Sequence, residues 1–336
     1  MAGYCVIGID AFKNGVRVDR AAGAGARCYL LGVDTPMNLL DIVYTDQMEG
    51  GWLPNQVQHV IGQLALLLGT PGRSADGRER LIPRAFSIAE RGLLDRALMQ
   101  LYESCQPHMP LAVMPRLSDL IRILEQLHEH EAHGLARDLR RLLFGTDDPD
   151  AMHITTLGHC FNAPTLVDWN VSTDITYYDF SHVPEMLRPF FYAQAIGAVL
   201  RFMSDPQRDI QRKTMLQIDE FGYLMQIEAL ANLAATVCKV ARKFGVALVV
   251  VDQNPDTFFG SEAGRRIAEN CNQKVLFYLD DMPTRQMGQA ISDLTPEHLG
   301  FVSHASVGQA LAVLGNDVYV LLVEPSPREA HVLRGS

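Results

Sequence analysis

The chain has 336 residues, 48% hydrophobic and 20% charged, a globular composition long enough for one large domain with an insertion or for two ordinary domains. A formal charge of −10 opposes nonspecific attraction to nucleic acid or an anionic membrane, although a local basic groove inside an acidic whole stays open. No apolar run nears the ~18 residues of a bilayer-spanning helix, and the start MAGYCVIGID lacks a leader's basic and apolar segments, so a cytoplasmic protein is expected.

In chain order, residues 4 to 44 read as strand, turn and strand: YCVIGID, a Gly-rich passage through AAGAGA, then RCYLLGV and MNLLDIVY. From Pro54 to about Phe144 apolar residues recur at three- and four-residue steps in QVQHVIGQLALLL, FSIAERGLLDRALMQLY and LSDLIRILEQL, which predicts helices. Ser87 with Glu90 three residues on has capping-box spacing, and Pro115 lies just ahead of the third helix. This middle, 51–148, is expected to be an all-helical insertion between residues 1–50 and 149–336. GTDDPDA marks its end as a turn-rich boundary.

The later rhythm is ITYYDF, a helix over PEMLRPFFYAQAIGAVLRFM, TMLQIDE, a helix over ALANLAATVCKVARKF, VALVVVDQ and KVLFYLDD. Strands alternating with helices of this length predict an α/β fold with a mostly parallel sheet covered by helices. QALAVLG, Asn316-Asp317 and VYVLLVE predict a C-terminal antiparallel hairpin. The six cysteines are scattered with no C-x-x-C pair, which suits reduced core thiols.

Right-handed crossovers put the carboxyl ends of parallel strands on one edge, where ligands collect. The expected strands end there in Asp10, Asp179, Asp219-Glu220, Asp252-Gln253 and Asp280-Asp281. Acids crowded on one rim repel each other unless a cation joins them, which favours a magnesium-phosphate site. Asp219 suits magnesium, held through its water shell, and Glu220 suits orientation or deprotonation of an attacking water. Gln253, one strand over, suits sensing of a terminal phosphate. The plainer reading is that these residues start loops and cap helices.

A phosphate cradle of the form G-x-x-x-x-G-K-[ST] is expected opposite such acids. None of the five lysines sits in that setting: QR precedes Lys213-Thr214, and GTPGRS has neither the spacing nor the lysine. His128, His130 and His133 in LHEHEAHG miss the i, i+4 spacing of H-E-x-x-H and read as a solvated helix end. AAGAGA lacks the third glycine of G-x-G-x-x-G, and no G-x-S-x-G occurs.

In order and spacing, VIGIDAFKNG, AGARCYLLG, MNLLDI, FNAPTLVD, ITYYDFS, TMLQIDEFGYL, ARKFGVALVVVDQ, GQALAVLG and VEPSPREA resemble the large cytoplasmic ATPases of type IV secretion and conjugative DNA transfer, within the HerA/FtsK-type hexameric motors. The resemblance spans nearly the whole chain. It implies a RecA-like P-loop NTPase sheet with helices on both faces, 1–50 and 149–336 forming the ATPase core. It implies a Walker B motif at Asp219 and Glu220, a polar sensor at Gln253, and a basic pair, Arg242 and Lys243, reaching a neighbouring subunit's nucleotide. The plain alternative for that pair is a basic helix C-terminus. Asn270 is a further polar position.

The same resemblance implies ATP and Mg2+ as cofactors, self-association as a hexamer, inner-membrane secretion components as partners, and a bacterial cytoplasmic or peripheral inner-membrane location. DNA as a partner is left open, since charge does not indicate it. In the family the P-loop strand and helix immediately precede the strand equivalent to YCVIGID, where this sequence starts. The expectation is therefore a motor-domain portion without Walker A, inactive alone, whose sheet either has a gap or closes up. The alternatives are a non-catalytic scaffold of motor ancestry and another HerA/FtsK-like DNA translocase.

Overall fold

In a computed structural model of the protein, the residues described are 5–10, 26–32, 35–44, 51–73, 79–167, 174–205, 208–209, 211–225, 228–327 and 330. Five strands, β1 (Cys5–Asp10), β2 (Ala26–Leu30), β5 (Ile175–Asp179), β6 (Thr214–Ile218) and β7 (Val246–Val250), form a sheet in the order β2-β5-β1-β6-β7. Every neighbouring pair is parallel.

The α6 helix (Arg188–Ser204) links β5 to β6, and α8 (Glu228–Ala241) links β6 to β7. Both connections travel across the sheet in the same direction, so right-handed crossovers place both helices on one face. The alternating side chains on that face, Ile7, Ile9, Leu216, Ile218 and Val246, join one core with Phe191, Ile196, Leu230 and Val237. The centre of the opposite face closes differently. There the Tyr177 ring lies on Gly8, where a Cβ would meet it at 2.3 Å.

Between β2 and β5 run α1 (Trp52–Leu67), a two-stranded ladder of β3 (Thr70–Arg73) with β4 (Glu79–Ile82), α2 (Ile88–Tyr102), α3 (Leu117–Gln126), α4 (His130–Phe144) and α5 (Thr156–Phe161). The expected all-helical insertion is thus corrected: antiparallel pairing of Thr70 with Ile82 and Pro71 with Leu81 breaks it after α1. The three helices expected from periodicity are present, and Ser87 and Glu90 form the reciprocal capping box at the start of α2. Leu94, Leu98, Leu120, Leu124, Leu135 and Leu139 bury the apolar stripes in the same core as the sheet.

MNLLDIVY is not a strand; residues 36–44 cross the interior without regular structure, and Met37 to Val43 are buried. Backbone polar groups taken out of water need partners, and side chains of the insertion and α6 supply several. Gln56 accepts from Val43 N at 2.9 Å and donates to Asp41 O at 3.0 Å. Tyr102 donates to Leu40 O at 2.8 Å, and Arg201 donates to Ile42 O at 3.0 Å and Met109 O at 3.2 Å. An amphipathic sequence pattern resembles a strand here because the partners lie far along the chain.

A second, three-stranded antiparallel sheet has the order β10-β9-β8, from β8 (Gln273–Leu276), β9 (Gln309–Leu314) and β10 (Asp317–Leu322). The hairpin expected at Gly315-Asn316 is β9–β10. KVLFYLDD, expected as another parallel strand, instead pairs antiparallel with β9 and ends at Leu276. Asp280 therefore does not extend the acidic rim of the parallel sheet, and Asp281 begins α11 (Asp281–Ala290). Among the described residues the parallel sheet is continuous, with no gap in its interior; β7 is its edge.

Candidate functional site

Walking along the carboxyl edge, Leu31 N donates to Asp179 O, Asp219 N to Ile9 O, and Val251 N to Ile218 O, so the ladder carries into the loops that hold the expected acids. Asp179 is fully buried; its Oδ1 accepts from Ser181 N at 2.8 Å, while its Oδ2 and Ser181 Oγ have no hydrogen-bond partner among the described residues. The Asp10 side chain lies outside the described residues.

Asp219 and Glu220 follow β6 directly, both half-buried. Asp219 Oδ1 accepts from Glu220 N at 3.0 Å, and Tyr192 on α6 donates its hydroxyl to Asp219 O at 3.1 Å. Glu220 has φ +49°; it and His108 are the two non-glycine residues with positive φ among the described residues. A left-handed glutamate costs on the order of 1–2 kcal/mol and turns the chain sharply enough for Phe221 to bury against Phe258.

Gln253 comes from the end of β7 and donates Nε2 to Glu220 Oε1 at 2.6 Å. The structure thus brings together three expected site residues, Asp219, Glu220 and Gln253, on adjacent strand ends. Asp252 holds them in register. Its Oδ2 accepts from Gly222 N at 2.5 Å, and its Oδ1 accepts from Asn254 N at 2.8 Å and Thr257 Oγ1 at 2.9 Å. A Cβ at Gly222 would sit 2.8 Å from Asp252 Oδ2, so glycine is needed where the two loops touch. That tie was visible in sequence only as the turn-forming D-x-N spacing of Asp252 and Asn254.

Arg242 and Lys243 are not brought to this rim. They occupy the 3-10 turn Arg242–Phe244 ahead of β7 and are exposed, at the opposite end of a strand that rises about 3.3 Å per residue. Asn270 ends α10 (Glu262–Asn270) and donates to Arg266 O at 2.7 Å. His130 starts α4, and no group of three or more possible metal ligands occurs among the described residues. No described helix is long and apolar enough to cross a membrane, and all six cysteines are free thiols.

A mostly parallel sheet with right-handed crossovers, its acid pair directly after a strand at the carboxyl edge, is an α/β fold of the RecA-like type. Residues 178–293 match the family model described as the type IV secretion-system coupling protein DNA-binding domain. The structure of VirB4 of Thermoanaerobacter pseudethanolicus is similar with a TM-score of 0.74 at 20% identity, over 97% of this chain and 83% of that one. The unbound monoclinic form of the bacterial conjugative coupling protein TrwB is similar with a TM-score of 0.53 at 13% identity, over 96% and 78%. The plasmid coupling protein TrwB in complex with ADP and Mg2+ gives 0.51 at 13% identity, over 96% and 85%. No curated protein sequence matches significantly. The resemblance to the type IV secretion and conjugation family is borne out over residues 178–293 by this family match, and the solved structures share the fold.

Proposed function

We propose that the chain is the Walker B and sensor portion of a motor ATPase that couples ATP hydrolysis to substrate transfer or pilus assembly in a type IV secretion or conjugation system. The hydrogen bond between Glu220 and Gln253 at the carboxyl edge of a parallel sheet carries this reading. An acid and an amide that meet from adjacent strand ends support a site in which a terminal phosphate and its attacking water would lie beside them.

The acidic rim suits magnesium. With no protein cluster of three ligands among the described residues, the ion would be held by nucleotide oxygens and water, with Asp219 as the protein's contact. Bound magnesium would neutralise phosphate charge. Glu220 would orient the water and accept its proton, and Gln253 would hold Glu220 until a phosphate oxygen competes for its amide. TrwB has been seen with ADP and Mg2+, which supports the same pair of ligands here.

Arg242 and Lys243, exposed at the far end of β7, are proposed to act in trans, on the nucleotide of the next copy in a ring. Inner-membrane secretion components are the proposed partners, reached from the cytoplasmic side. The cargo is DNA or protein; the family match is described by DNA binding, while the net charge of −10 gives DNA no general attraction.

The second reading is a scaffold of motor ancestry that does not turn over nucleotide. ATP hydrolysis by the chain joined to a Walker A strand and helix decides between them. Turnover that Glu220→Gln abolishes supports the motor; absence of both nucleotide binding and turnover supports the scaffold.

A further inference from the structure

The second sheet, β8 to β10, is covered unevenly. Strand alternation puts Leu276, Leu311 and Val313 on the face where Met287 of α11 and Val302 of α12 (Pro296–His304) close a small core. On the other face the register sets Val275 beside Ala312 and Ala312 beside Tyr319, with Ala310 beside Leu321 in the next row. Val275, Tyr319 and Leu321 are 48%, 49% and 36% exposed, while the two alanines of the middle strand are buried. Small residues between tall ones make a trough. Its walls stand two strand spacings apart, about 10 Å, which is the width of an α-helix with its side chains. Phe277 follows Val275 on the β8 side and lines an open hollow with Tyr278, Val307 and Gly308. So continuous an apolar surface marks a place where a partner docks.

Charge selects the partner. β8 and β10 run the same way, both antiparallel to β9, so Asp317 stands at one end of the trough and Asp280 and Glu324 at the other. Lys274 pairs with Val313 on the covered face and donates Nζ to Cys271 O at 2.8 Å. Residues 273–327 hold six acids against two bases, Lys274 and Arg285. Such a rim repels a second copy of the same sheet and an anionic bilayer alike, and attracts a basic segment.

We propose that this trough seats a basic amphipathic helix, its apolar stripe over Ala310 and Ala312 and its lysines or arginines toward Asp317, Asp280 and Glu324. A trough spanning residues 317–324 is about 24 Å long, enough for a helix of about 16 residues. The source is the cytoplasmic segment flanking a membrane span of an inner-membrane protein, where Lys and Arg are in excess. That source rests on the inner-membrane partners proposed above; the seat rests on register, exposure and charge.

The test is fluorescence anisotropy of labelled peptides titrated with the 336-residue chain. The probes are a designed helix of about 18 residues with leucine on one face and lysine on the other, the same helix with glutamate for lysine, and the Lys/Arg-rich membrane-flanking segments of inner-membrane proteins encoded beside this chain. The lysine helix should bind about 10-fold tighter than the glutamate helix, or more. Tyr319→Thr with Leu321→Thr, and separately Asp317→Lys with Glu324→Lys, should each weaken it by about 10-fold. Ile88→Thr, at a 95% exposed position on α2, should change nothing. Equal binding of the two helices, or indifference to the trough substitutions, overturns the proposal. Self-association of the chain, or binding to anionic vesicles, that the same substitutions abolish would overturn it too, by giving the trough to a second copy or to the bilayer. Binding of the lysine helix but of none of the native segments would defeat the inner-membrane source and leave the seat; native segments that bind regardless of the substitutions would do the reverse.

Discussion

Gln253 Nε2 donates to Glu220 Oε1 at 2.6 Å across the ends of β6 and β7. Gln253 is exposed and Glu220 half-buried, so the bond itself stabilises the fold by at most about 1 kcal/mol, and its consequence is positional. In a site completed with a phosphate loop, Glu220→Gln should lower kcat by about 10²–10⁴-fold with nucleotide affinity kept. Gln253→Ala should lower kcat less. Steady-state hydrolysis with parallel binding measurements checks both.

The positive φ of Glu220 separates stability from activity. Replacing a left-handed non-glycine residue by glycine relieves strain of on the order of 1–2 kcal/mol, offset in part by the greater chain entropy of glycine when unfolded. Glu220→Gly should therefore raise unfolding free energy by about 0.5–1 kcal/mol while hydrolysis is lost; Glu220→Ala should lose hydrolysis with no such gain. Denaturant titration of the three proteins is the comparison.

Asp252 accepts from two backbone amides and one hydroxyl that hold the β6 and β7 loops together. Asp252→Ala leaves the Gly222 and Asn254 amides without that partner and should cost about 2–3 kcal/mol, with hydrolysis falling because Gln253 is displaced. Gly222→Ala should give a similar phenotype by a different route, since its Cβ would press on the same carboxylate. A stability loss in either variant with normal turnover would contradict the positioning role.

Much of this was legible in sequence because the strands and helices carry local signals. TMLQI and VALVV are β-branched or apolar runs bounded by turn residues, and the Ser87–Glu90 box is written in four residues. The partners of Glu220 were legible only as strand ends: that β6 and β7 are adjacent follows from a crossover rule, but the 2.6 Å contact does not. The 36–44 strap failed as a strand because its hydrogen bonds come from Gln56, Tyr102 and Arg201, which lie 13 to 159 residues away. KVLFYLDD failed as a parallel strand because its register is set by pairing with β9, a non-local choice that periodicity does not encode.

The strap also sets the pH dependence of stability, through two buried groups with opposite signs. Burial pushes the Asp41 carboxyl up to about 6, against hydrogen bonds from Thr165 and Asn38 and the nearby Arg201 charge. Burial pulls the His59 imidazole down to about 4. For Asp41 the folded value lies above the unfolded one, so its contribution is fully present below about pH 4 and is lost as pH rises through 6. For His59 the folded value lies below the unfolded one, so its contribution is present above about 6.5 and is lost as pH falls through 4. Each shift of about two units corresponds to roughly 3 kcal/mol, and between pH 4 and 6.5 the two slopes oppose each other. Asp41→Asn should leave the His59 slope alone, making stability fall by about 3 kcal/mol relative to the unsubstituted chain between pH 7 and 4. His59→Gln should reverse it, making the chain relatively more stable in acid by a similar amount. Urea titrations at half-unit pH steps would show two difference curves of opposite sign; parallel curves would mean that neither group carries the linkage.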